Sequence, residues 1–316
     1  QEEYMSEKCE ISVVVPVYNE EESLPHLCPR LLAAMDAMER PYEIIFVNDG
    51  SRDSSLRLLL ACREANPGRV RVIDFNGNFG QHMAIMAGFD HARGDIIVTL
   101  DADLQNPPEE IPRLVSEIDR GHDVVGTVRQ NRRDPWFRRT ASRMVNAITN
   151  RITGLRLNDY GCMLRAYRRD VVDIINRSFE STVFIPALAQ KFAIDPVEIP
   201  VAHSEREHGT SKYSIFRLIR LNFDLMTGFS LFPLQAVTMI GLAVSALSFA
   251  FAVFLMLRRL IVGPEAEGVF TLLNINFFLM GITMSCVGIT GEYIGRIYQE
   301  VRKRPRYVIR REWGDD

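Results

Sequence analysis

The chain has 316 residues, which is enough for about two domains of ordinary size. Its formal net charge of −3, with 24% charged residues, lacks the basic excess that nucleic-acid binding requires, so we expect no nucleic-acid partner. The five cysteines are odd in number and scattered, with no Cys-x-x-Cys pair. This pattern argues against a disulfide framework or a zinc site and fits a reducing compartment.

Short apolar strands alternate with helical segments over the first hundred residues. We predict strands at 11–18, 42–47, 70–75 and 96–100, with helices at 24–38, 57–64 and 83–91 between them. The alternation predicts an α/β fold with a doubly wound, mostly parallel sheet and helices on both faces. In such sheets, ligands bind beyond the carboxyl ends of the strands.

Two carboxylates, Asp101 and Asp103, come directly after the apolar run that predicts the fourth strand. Positions i and i+2 at the end of a strand point to the same face, so the two side chains can converge on one cation. Hard oxygen ligands suit Mg²⁺ or Mn²⁺, which keep open positions for substrate phosphates. A metal site that serves a phosphorylated substrate is therefore expected here.

Polar residues also follow the first two strands, as Asn19-Glu20 and as Asn48-Asp49-Gly50-Ser51. Neither Gly-x-Gly-x-x-Gly after the first strand nor a Walker A sequence is present, which disfavours a dinucleotide dehydrogenase and a P-loop enzyme. A nucleotide site built from acids, amides and a metal fits better. Asp49 can accept a hydrogen bond from a base or ribose, or it can cap the next helix with Ser51, and both roles stay open.

Two basic stretches separate the α/β part from the apolar C-terminal part. The first, at 129–143, carries six arginines around Trp136 and Phe137, and it predicts an interfacial helix at about 134–152 that meets anionic head groups. The second, at 203–213, is a polar loop whose arginine, serine and lysine can close over a diphosphate. A second interfacial amphipathic helix is predicted at 213–229.

Two long segments near the C-terminus, 225–257 and 268–291, contain no charged residue. Both exceed the roughly 20 residues that cross a bilayer core of about 30 Å, so we predict a transmembrane hairpin at 230–291. Seven arginines and lysines follow it in a predicted basic tail, 292–316, whereas the linker between the segments carries two. The positive-inside rule then places both termini in the cytoplasm, with a cytoplasmic domain over 1–212.

Together these residues resemble the family-two, GT-A-fold polyprenyl-phosphate glycosyltransferases. The motifs are Val-Pro-Val-Tyr-Asn-Glu at 15–20, Asn-Asp-Gly-Ser at 48–51, Asn-x-Gly-x-x-x-Ala-x-x-x-Gly at 78–88, Asp-Ala-Asp-Leu-Gln at 101–105, Asp-Tyr-Gly-Cys-Met-Leu-Arg at 159–165 and Arg-x-x-Gly-x-Ser-Lys at 206–212. The likeness covers nearly the whole chain, including the hairpin. Asn48 is a departure, because many relatives carry aspartate there.

The resemblance implies a metal-dependent, inverting transfer of a sugar from a UDP-linked donor to undecaprenyl phosphate, by a homo-oligomer in a bacterial inner membrane. Segments 105–115, 124–132 and 291–298 are similar to the family members that modify lipid A, which implies 4-deoxy-4-formamido-L-arabinose as the sugar. Transferases of glucose and mannose to polyprenyl phosphates share most of the motifs, so those donors stay open as alternatives.

The resemblance also implies which residues meet the metal and the donor. Asp101, Asp103 and Gln105 match the positions that hold Mn²⁺ or Mg²⁺ on the donor diphosphate, and Asp103 counts as catalytic. The donor-binding residues are implied to be Pro16, Tyr18, Glu20, Asp49, Asp101, Arg206, Ser211 and Lys212. The last three of these would form a lid that orders over the phosphates when the donor binds.

On the acceptor side, Arg129, Arg139 and Ser142 are the implied holders of the phosphate. Asp159 lies where relatives carry a proposed catalytic base. A phosphate monoester has a second pKa of about 6, so the acceptor is mostly a dianion at neutral pH and needs orientation more than a strong base. Whether Asp159 positions the acceptor or removes a proton stays open.

Two other functions are compatible with parts of the sequence. A processive polysaccharide synthase would share the donor site, but such enzymes carry Gln-x-x-Arg-Trp and more membrane helices, which this sequence lacks. A non-catalytic membrane scaffold that retains nucleotide-sugar binding is disfavoured by the intact acids and the basic loop. Product formation by the purified protein would separate the scaffold from the enzyme.

Overall fold

The computed structural model describes residues 9–129, 162–178, 184–201, 232–263, 269–301 and 305–314. The chain divides into two compact units. One contains the α/β part together with the C-terminal segment from residue 304 onward, and the other contains the two long C-terminal helices. The predicted interfacial helices at 134–152 and 213–229 lie outside the described residues.

Strands and helices alternate as the sequence predicts. The strands are β1 (Ile11–Val17), β2 (Tyr42–Asn48), β3 (Val70–Phe75), β4 (Ile96–Thr99), β5 (Val124–Arg129), β6 (Arg165–Arg168), β7 (Pro196–Val201) and β8 (Ile309–Trp313). The helices of this unit are α1 (Leu24–Asp36), α2 (Ser55–Ala65), α3 (Gln81–His91), α4 (Ile111–Asp119), α5 (Arg169–Arg177) and α6 (Ile185–Phe192). All seven elements predicted between residues 11 and 100 are present, with bounds that differ by at most two residues.

The described strands form one sheet in the order β7-β5-β6-β4-β1-β2-β3-β8. The central strands β4, β1, β2 and β3 are parallel, whereas β6 pairs antiparallel with β4 and β8 pairs antiparallel with β3. This mixed, mostly parallel sheet confirms the predicted GT-A-type fold. Because β4, β1 and β2 are neighbours, the polar residues that follow each of them meet at one edge of the sheet.

The apolar core covers both faces of the sheet. Alternate residues of β1 (Ile11, Val13, Val15 and Val17) pack with α1, α2 and α4 on one face. On the other face, Ile45, Val47 and their neighbours on β3 pack against α3. Burial on both faces explains why these strands read as continuous apolar runs rather than as alternating ones.

Gly88 lets α3 lie directly on β1. A Cβ atom at this position would overlap the side chain of Val14, which is fully buried. We therefore expect Gly88→Ala to lower the free energy of unfolding by about 1–3 kcal/mol, the usual cost of overpacking a core. Urea unfolding measures this, with Gly77→Ala as the control, because a Cβ at Gly77 meets nothing within 4 Å and its φ is not positive, so we expect a smaller loss. Equal losses in the two variants would contradict the packing explanation.

The second unit contains the long helices α7 (Phe232–Val262) and α8 (Val269–Val301), which contact each other. Within the described residues, one stretch, Phe278–Gly295 in α8, is long and apolar enough to cross a membrane, and Leu234–Val244 in α7 is a shorter apolar stretch. Large apolar side chains are exposed along both helices, with Ile261 82% and Val301 71% exposed. Such surfaces are typical of helices that face lipid or a partner.

The segment predicted as a basic tail, 292–316, is divided in the structure. Helix α8 continues through Val301, and Ile309–Trp313 forms strand β8 of the α/β sheet instead of an independent tail. The physical reason is that β3 would otherwise be an edge strand with unpaired backbone groups, which an added strand satisfies. Part of the predicted tail therefore belongs to the α/β unit, and the boundary of the membrane hairpin at residue 292 stays a prediction.

Side chains hold this C-terminal segment in place along its length. The ring of Tyr307 stacks on Phe75 with a centroid distance of 5.1 Å, and Glu312 accepts from Arg71 at 2.7 Å. Trp313 packs against the main apolar core, and the carbonyl of Gly314 accepts from Arg63 at 2.5 Å. These contacts make β8 a structural part of the α/β unit.

Candidate active site

The loops that follow β1 and β2 are joined by hydrogen bonds. Asn19, whose φ is +54°, accepts the N–H of Arg52 at 2.9 Å and donates its own N–H to Ser51 Oγ at 3.0 Å. The N–H of Glu20 donates to Ser55 Oγ at 2.9 Å, at the first turn of α2. These contacts fix the two loops against each other at the carboxyl edge of the sheet.

Asp49 fixes a third loop to the same edge. Its carboxylate oxygens accept the N–H groups of Phe79 at 2.6 Å and Gly80 at 2.9 Å, just before α3. Burial raises the pKa of Asp49, and the two N–H donors oppose that rise. The side chain is only 2% exposed and does not cap α2 with Ser51, so its observed role is to hold the loop ahead of α3. A direct contact with a nucleotide stays a prediction.

Gly50 permits the close approach of this loop. It has a φ of +68°, and a Cβ there would lie 2.5 Å from the carbonyl carbon of Gly77. A side chain at position 50 would therefore have to displace the backbone of the loop after β3. Glycine in the Asn-Asp-Gly-Ser motif thus has a structural reason that the sequence pattern alone did not give.

A polar pocket of about 260 Å³ opens between these loops. It is lined by Tyr18, Asn48, Gly50, Ser51, Arg52, Leu56, Asp74, Asn76, Gly77, Asn78 and Arg310. Tyr18 is 44% exposed, which leaves its ring accessible to a planar ligand. An apolar cavity of about 310 Å³ also lies between α1 and α2, but no predicted site residue lines it.

The two carboxylates after β4 lie in a tight loop beside α3. Ala102 between them is buried in the core, whereas Asp101 and Asp103 are not. Asp101 accepts from the side-chain amide of Gln81 at 2.5 Å, and Asp103 accepts the N–H of Gln105 at 3.1 Å. Both acids are therefore partly exposed on either side of a buried alanine, and their convergence on one cation stays a prediction.

Comparison with known proteins shows the family to which the chain belongs. The family model described as glycosyl transferase family 2 matches residues 12–175, which include all the loops described above. The chain belongs to glycosyl transferase family 2. The resemblance stated from the sequence motifs is thereby confirmed, and the protein is a glycosyltransferase.

The glycosyltransferase is similar over nearly its full length to two curated relatives named undecaprenyl-phosphate 4-deoxy-4-formamido-L-arabinose transferase. The relative from Edwardsiella ictaluri is 54% identical over 301 residues, covering 95% of this chain and 93% of its own. The relative from Klebsiella pneumoniae is 54% identical over 303 residues with the same coverage. A crystal structure of a mycobacterial protein matches with a TM-score of 0.50 at 18% identity, covering 70% of this chain and 73% of that chain, which supports the fold alone.

The donor set at the acid loop of this glycosyltransferase fits Mn²⁺ or Mg²⁺. It offers two carboxylates and the amide side chain of Gln105, all hard oxygen donors. Within the described residues, no group of three or more histidine, cysteine, aspartate or glutamate side chains is placed to hold a metal. Two carboxylates leave most of the octahedral positions of such an ion to water and to a phosphorylated substrate, which is the usual arrangement at phosphate-binding magnesium sites.

The other predicted site residues are placed as follows. Pro16 is partly buried in β1, Tyr18 lines the polar pocket, and Glu20 accepts from Ser23 Oγ at 2.9 Å at the start of α1. Arg129 ends β5, which runs parallel to β4 because both pair antiparallel with β6. Arg129 therefore lies at the same edge of the sheet as the acid loop. The remaining predicted residues lie outside the described part of the chain: Arg139, Ser142, Asp159, Arg206, Ser211 and Lys212.

Three residues at this edge were not predicted from the sequence: Gln81, Asp74 and Arg310. Gln81 begins α3 directly after the loop held by Asp49, and Asp74 accepts from Asn48 Nδ2 at 2.7 Å. A polar residue near the end of a strand is a signal that could have indicated Asp74. The position of Arg310 depends on β8 pairing with β3, which the local pattern did not indicate.

His82, next to Gln81, is partly buried, and its buried Nδ1 atom has no hydrogen-bond partner within the described residues. The ring packs edge-on against Phe184 at a centroid distance of 5.2 Å. Burial lowers the pKa of His82 from its usual value of 6.5 to about 4. The folded protein therefore holds a neutral imidazole at a pH where the unfolded chain binds a proton.

This difference predicts a stability that depends on pH. Because the pKa of His82 is lowered on folding, its destabilising effect is absent above pH 6.5 and grows as the pH falls toward about 4. We expect the full loss to be at most about 3 kcal/mol. Urea unfolding at several pH values measures it, and His82→Gln should show a shallower pH dependence between pH 6.5 and 4. Identical profiles for the variant and the wild type would contradict the prediction.

Proposed function

We propose that this glycosyltransferase transfers 4-deoxy-4-formamido-L-arabinose from its UDP-linked form to undecaprenyl phosphate. The observation that carries the proposal is the 54% identity to relatives of that name over 93% of their length. The geometry supports it because the edge of the sheet combines a polar pocket for a nucleotide with two acids for a metal-bound diphosphate. Such a product belongs to lipid A modification.

On the donor side, Asp101, Asp103 and Gln105 would hold Mn²⁺ or Mg²⁺ against the diphosphate. When bound, the ion supplies positive charge that neutralises the departing UDP. Gln81 orients Asp101 through its 2.5 Å hydrogen bond, and the N–H of Gln105 orients Asp103. Pro16, Tyr18 and Glu20 would meet the nucleoside. Lid residues Arg206, Ser211 and Lys212 would close over the phosphates.

On the acceptor side, an oxygen of the undecaprenyl phosphate attacks the anomeric carbon in line with the departing UDP, so the configuration inverts. The new bond joins that oxygen to the carbon, and the electron pair of the broken bond leaves with UDP. A phosphate dianion carries no proton that must be removed first. The role of Asp159 would therefore be positioning, while Arg129, Arg139 and Ser142 would hold the phosphate by charge-assisted hydrogen bonds.

The C-terminal helices fit a lipid acceptor. An undecaprenyl chain is confined to the membrane, so the enzyme must work at its surface. Helices α7 and α8 would anchor the catalytic unit in a bacterial inner membrane as a hairpin, with both termini in the cytoplasm where nucleotide sugars are made. We also propose that the enzyme is a homo-oligomer, as the resemblance implies.

The donor is tested by the full-length protein purified in detergent, supplied with Mn²⁺, undecaprenyl phosphate and one of three donors. These are UDP-4-deoxy-4-formamido-L-arabinose, UDP-glucose and GDP-mannose. Lipid product with the formamido sugar alone is the expected result. Product with UDP-glucose or GDP-mannose instead would contradict the proposed donor but would still support undecaprenyl phosphate as the acceptor. Absence of product with every donor would favour the non-catalytic scaffold.

A further inference from the structure

The polar pocket includes one residue from the far end of the chain. Arg310 lies on β8 and reaches the pocket from the edge of β3. Its Nη1 atom is 3.4 Å from Asp74 Oδ2, and its Nη2 atom donates to the carbonyl of Asn76 at 3.3 Å. The side chain is 60% exposed, so the guanidinium is accessible from the pocket while it is held on one side.

Asp74 is the charged partner of Arg310. Its side chain is 2% exposed, and its other oxygen, Oδ1, accepts from Asn48 Nδ2 at 2.7 Å. A buried carboxylate bonded on both sides cannot easily rotate away from its partners. A guanidinium has five N–H donors, and the two contacts described here leave others available to a ligand.

The order of the strands decides which part of a UDP-sugar Arg310 can meet. The acid loop follows β4, and β8 lies four strands away across β1, β2 and β3. At about 4.8 Å between neighbouring strands, this separation is about 19 Å, which is much longer than an arginine side chain. A diphosphate held at Asp101 and Asp103 is therefore out of reach of Arg310, whereas a nucleoside in the pocket between β1, β2 and β3 is within reach.

We propose that Arg310 is a donor-binding residue that recognises the nucleoside of the UDP-sugar. Its free N–H groups donate to acceptor oxygens of the nucleoside, such as the uracil carbonyls, while the exposed ring of Tyr18 lines the same pocket. This inference rests on the proposed function, since it assumes a UDP-linked donor. It means that β8, which follows the long C-terminal helices in the chain, completes the donor pocket of the catalytic unit.

The test compares the dissociation constants of UDP and of uridine for the full-length protein in detergent, measured by calorimetry. Loss of the guanidinium in Arg310→Ala is expected to raise both constants about tenfold. Arg310→Lys keeps the positive charge but loses the paired N–H donors of the guanidinium. Its dissociation constants should lie between those of Arg310→Ala and the wild type. The matched control is Arg311→Ala, because Arg311 is next on the strand and lies over the ring of Trp313 at 5.1 Å. We expect no change for the control.

Each outcome separates this inference from the function on which it rests. If the wild type binds no UDP, the proposed donor class fails. If the wild type binds UDP and both Arg310 variants bind it equally well, the role of Arg310 is overturned and the donor class is kept. Weaker UDP binding with unchanged uridine binding would overturn recognition of the nucleoside. An unchanged unfolding midpoint for each variant shows that β8 is still docked. If Arg310→Ala does not fold, the binding constants of Arg310→Lys provide the test.

Discussion

Asp103→Asn is expected to lower kcat/KM for sugar transfer by about 10³-fold, with little change in the unfolding midpoint. The substitution removes the negative charge that would hold the metal against the diphosphate, and lost electrostatic stabilisation of a transition state costs about this much. Folding should survive because the asparagine oxygen can still accept the N–H of Gln105, the 3.1 Å bond that closes the loop. Initial rates with saturating acceptor and varied donor measure the effect.

The matched control for this substitution is Asp119→Asn. Asp119 is 50% exposed and pairs with Arg40 at 2.8 Å, away from the acid loop, so its loss should leave the rate within twofold. Titration of Mn²⁺ in the presence of UDP adds a reading that does not depend on turnover. Full activity of Asp103→Asn, or unchanged Mn²⁺ affinity, would contradict the assignment of Asp103 to the metal site.

Arg71→Met is expected to give the largest loss of stability, about 3–5 kcal/mol, because it leaves buried carboxylate charge without its partner. Arg71 and Glu43 are 5% and 4% exposed and form an ion pair at 2.8 Å. Arg71 also donates to Glu312 of β8 at 2.7 Å, so the same change loosens the C-terminal strand. Urea unfolding of the full-length protein, followed by tryptophan fluorescence, measures the loss.

Two further variants identify the cause of that loss. Arg69→Met removes an exposed arginine that pairs with Asp36 at 2.9 Å, and we expect a change within about 1 kcal/mol. In the double variant Arg71→Met, Glu43→Leu, the unpaired charge at position 43 is gone, and part of the stability should return. The explanation by buried charge fails if the double variant is less stable than Arg71→Met alone.

The sequence was sufficient to predict the strands and helices around the site, because the patterns that indicate them involve residues close together in the chain. Continuous apolar runs such as 11–17 identify strands buried on both faces, and the polar residues directly after them identify the edge where ligands bind. Asp101 and Asp103 are partly exposed because they follow the end of the buried strand β4, where the chain turns at the edge of the sheet. Their shared exposure, with Ala102 buried between them, needed no long-range information.

The motifs predicted the position of the site more accurately than the role of each residue in it. Asp49 in the Asn-Asp-Gly-Ser motif was expected to meet a nucleotide or to cap α2. Its carboxylate accepts the N–H groups of Phe79 and Gly80, a contact that the motif did not indicate, and the nucleotide contact stays a prediction. The observed contact joins residues about thirty positions apart and depends on how the loops pack. Local pattern cannot distinguish a ligand-binding carboxylate from one that shapes the loop beside the ligand.

The amino-acid sequence by itself determined the α/β alternation, the acid loop after β4 and the two apolar segments near the C-terminus, since each depends on residues close together in the chain. Only the tertiary structure decided that Ile309–Trp313 is a strand of the catalytic sheet and that Arg310 reaches Asp74, 236 positions earlier. Charge composition made this segment look like a basic tail. Its place was decided by the unpaired edge of β3 and by the apolar and ionic partners beside it, which no local pattern specifies.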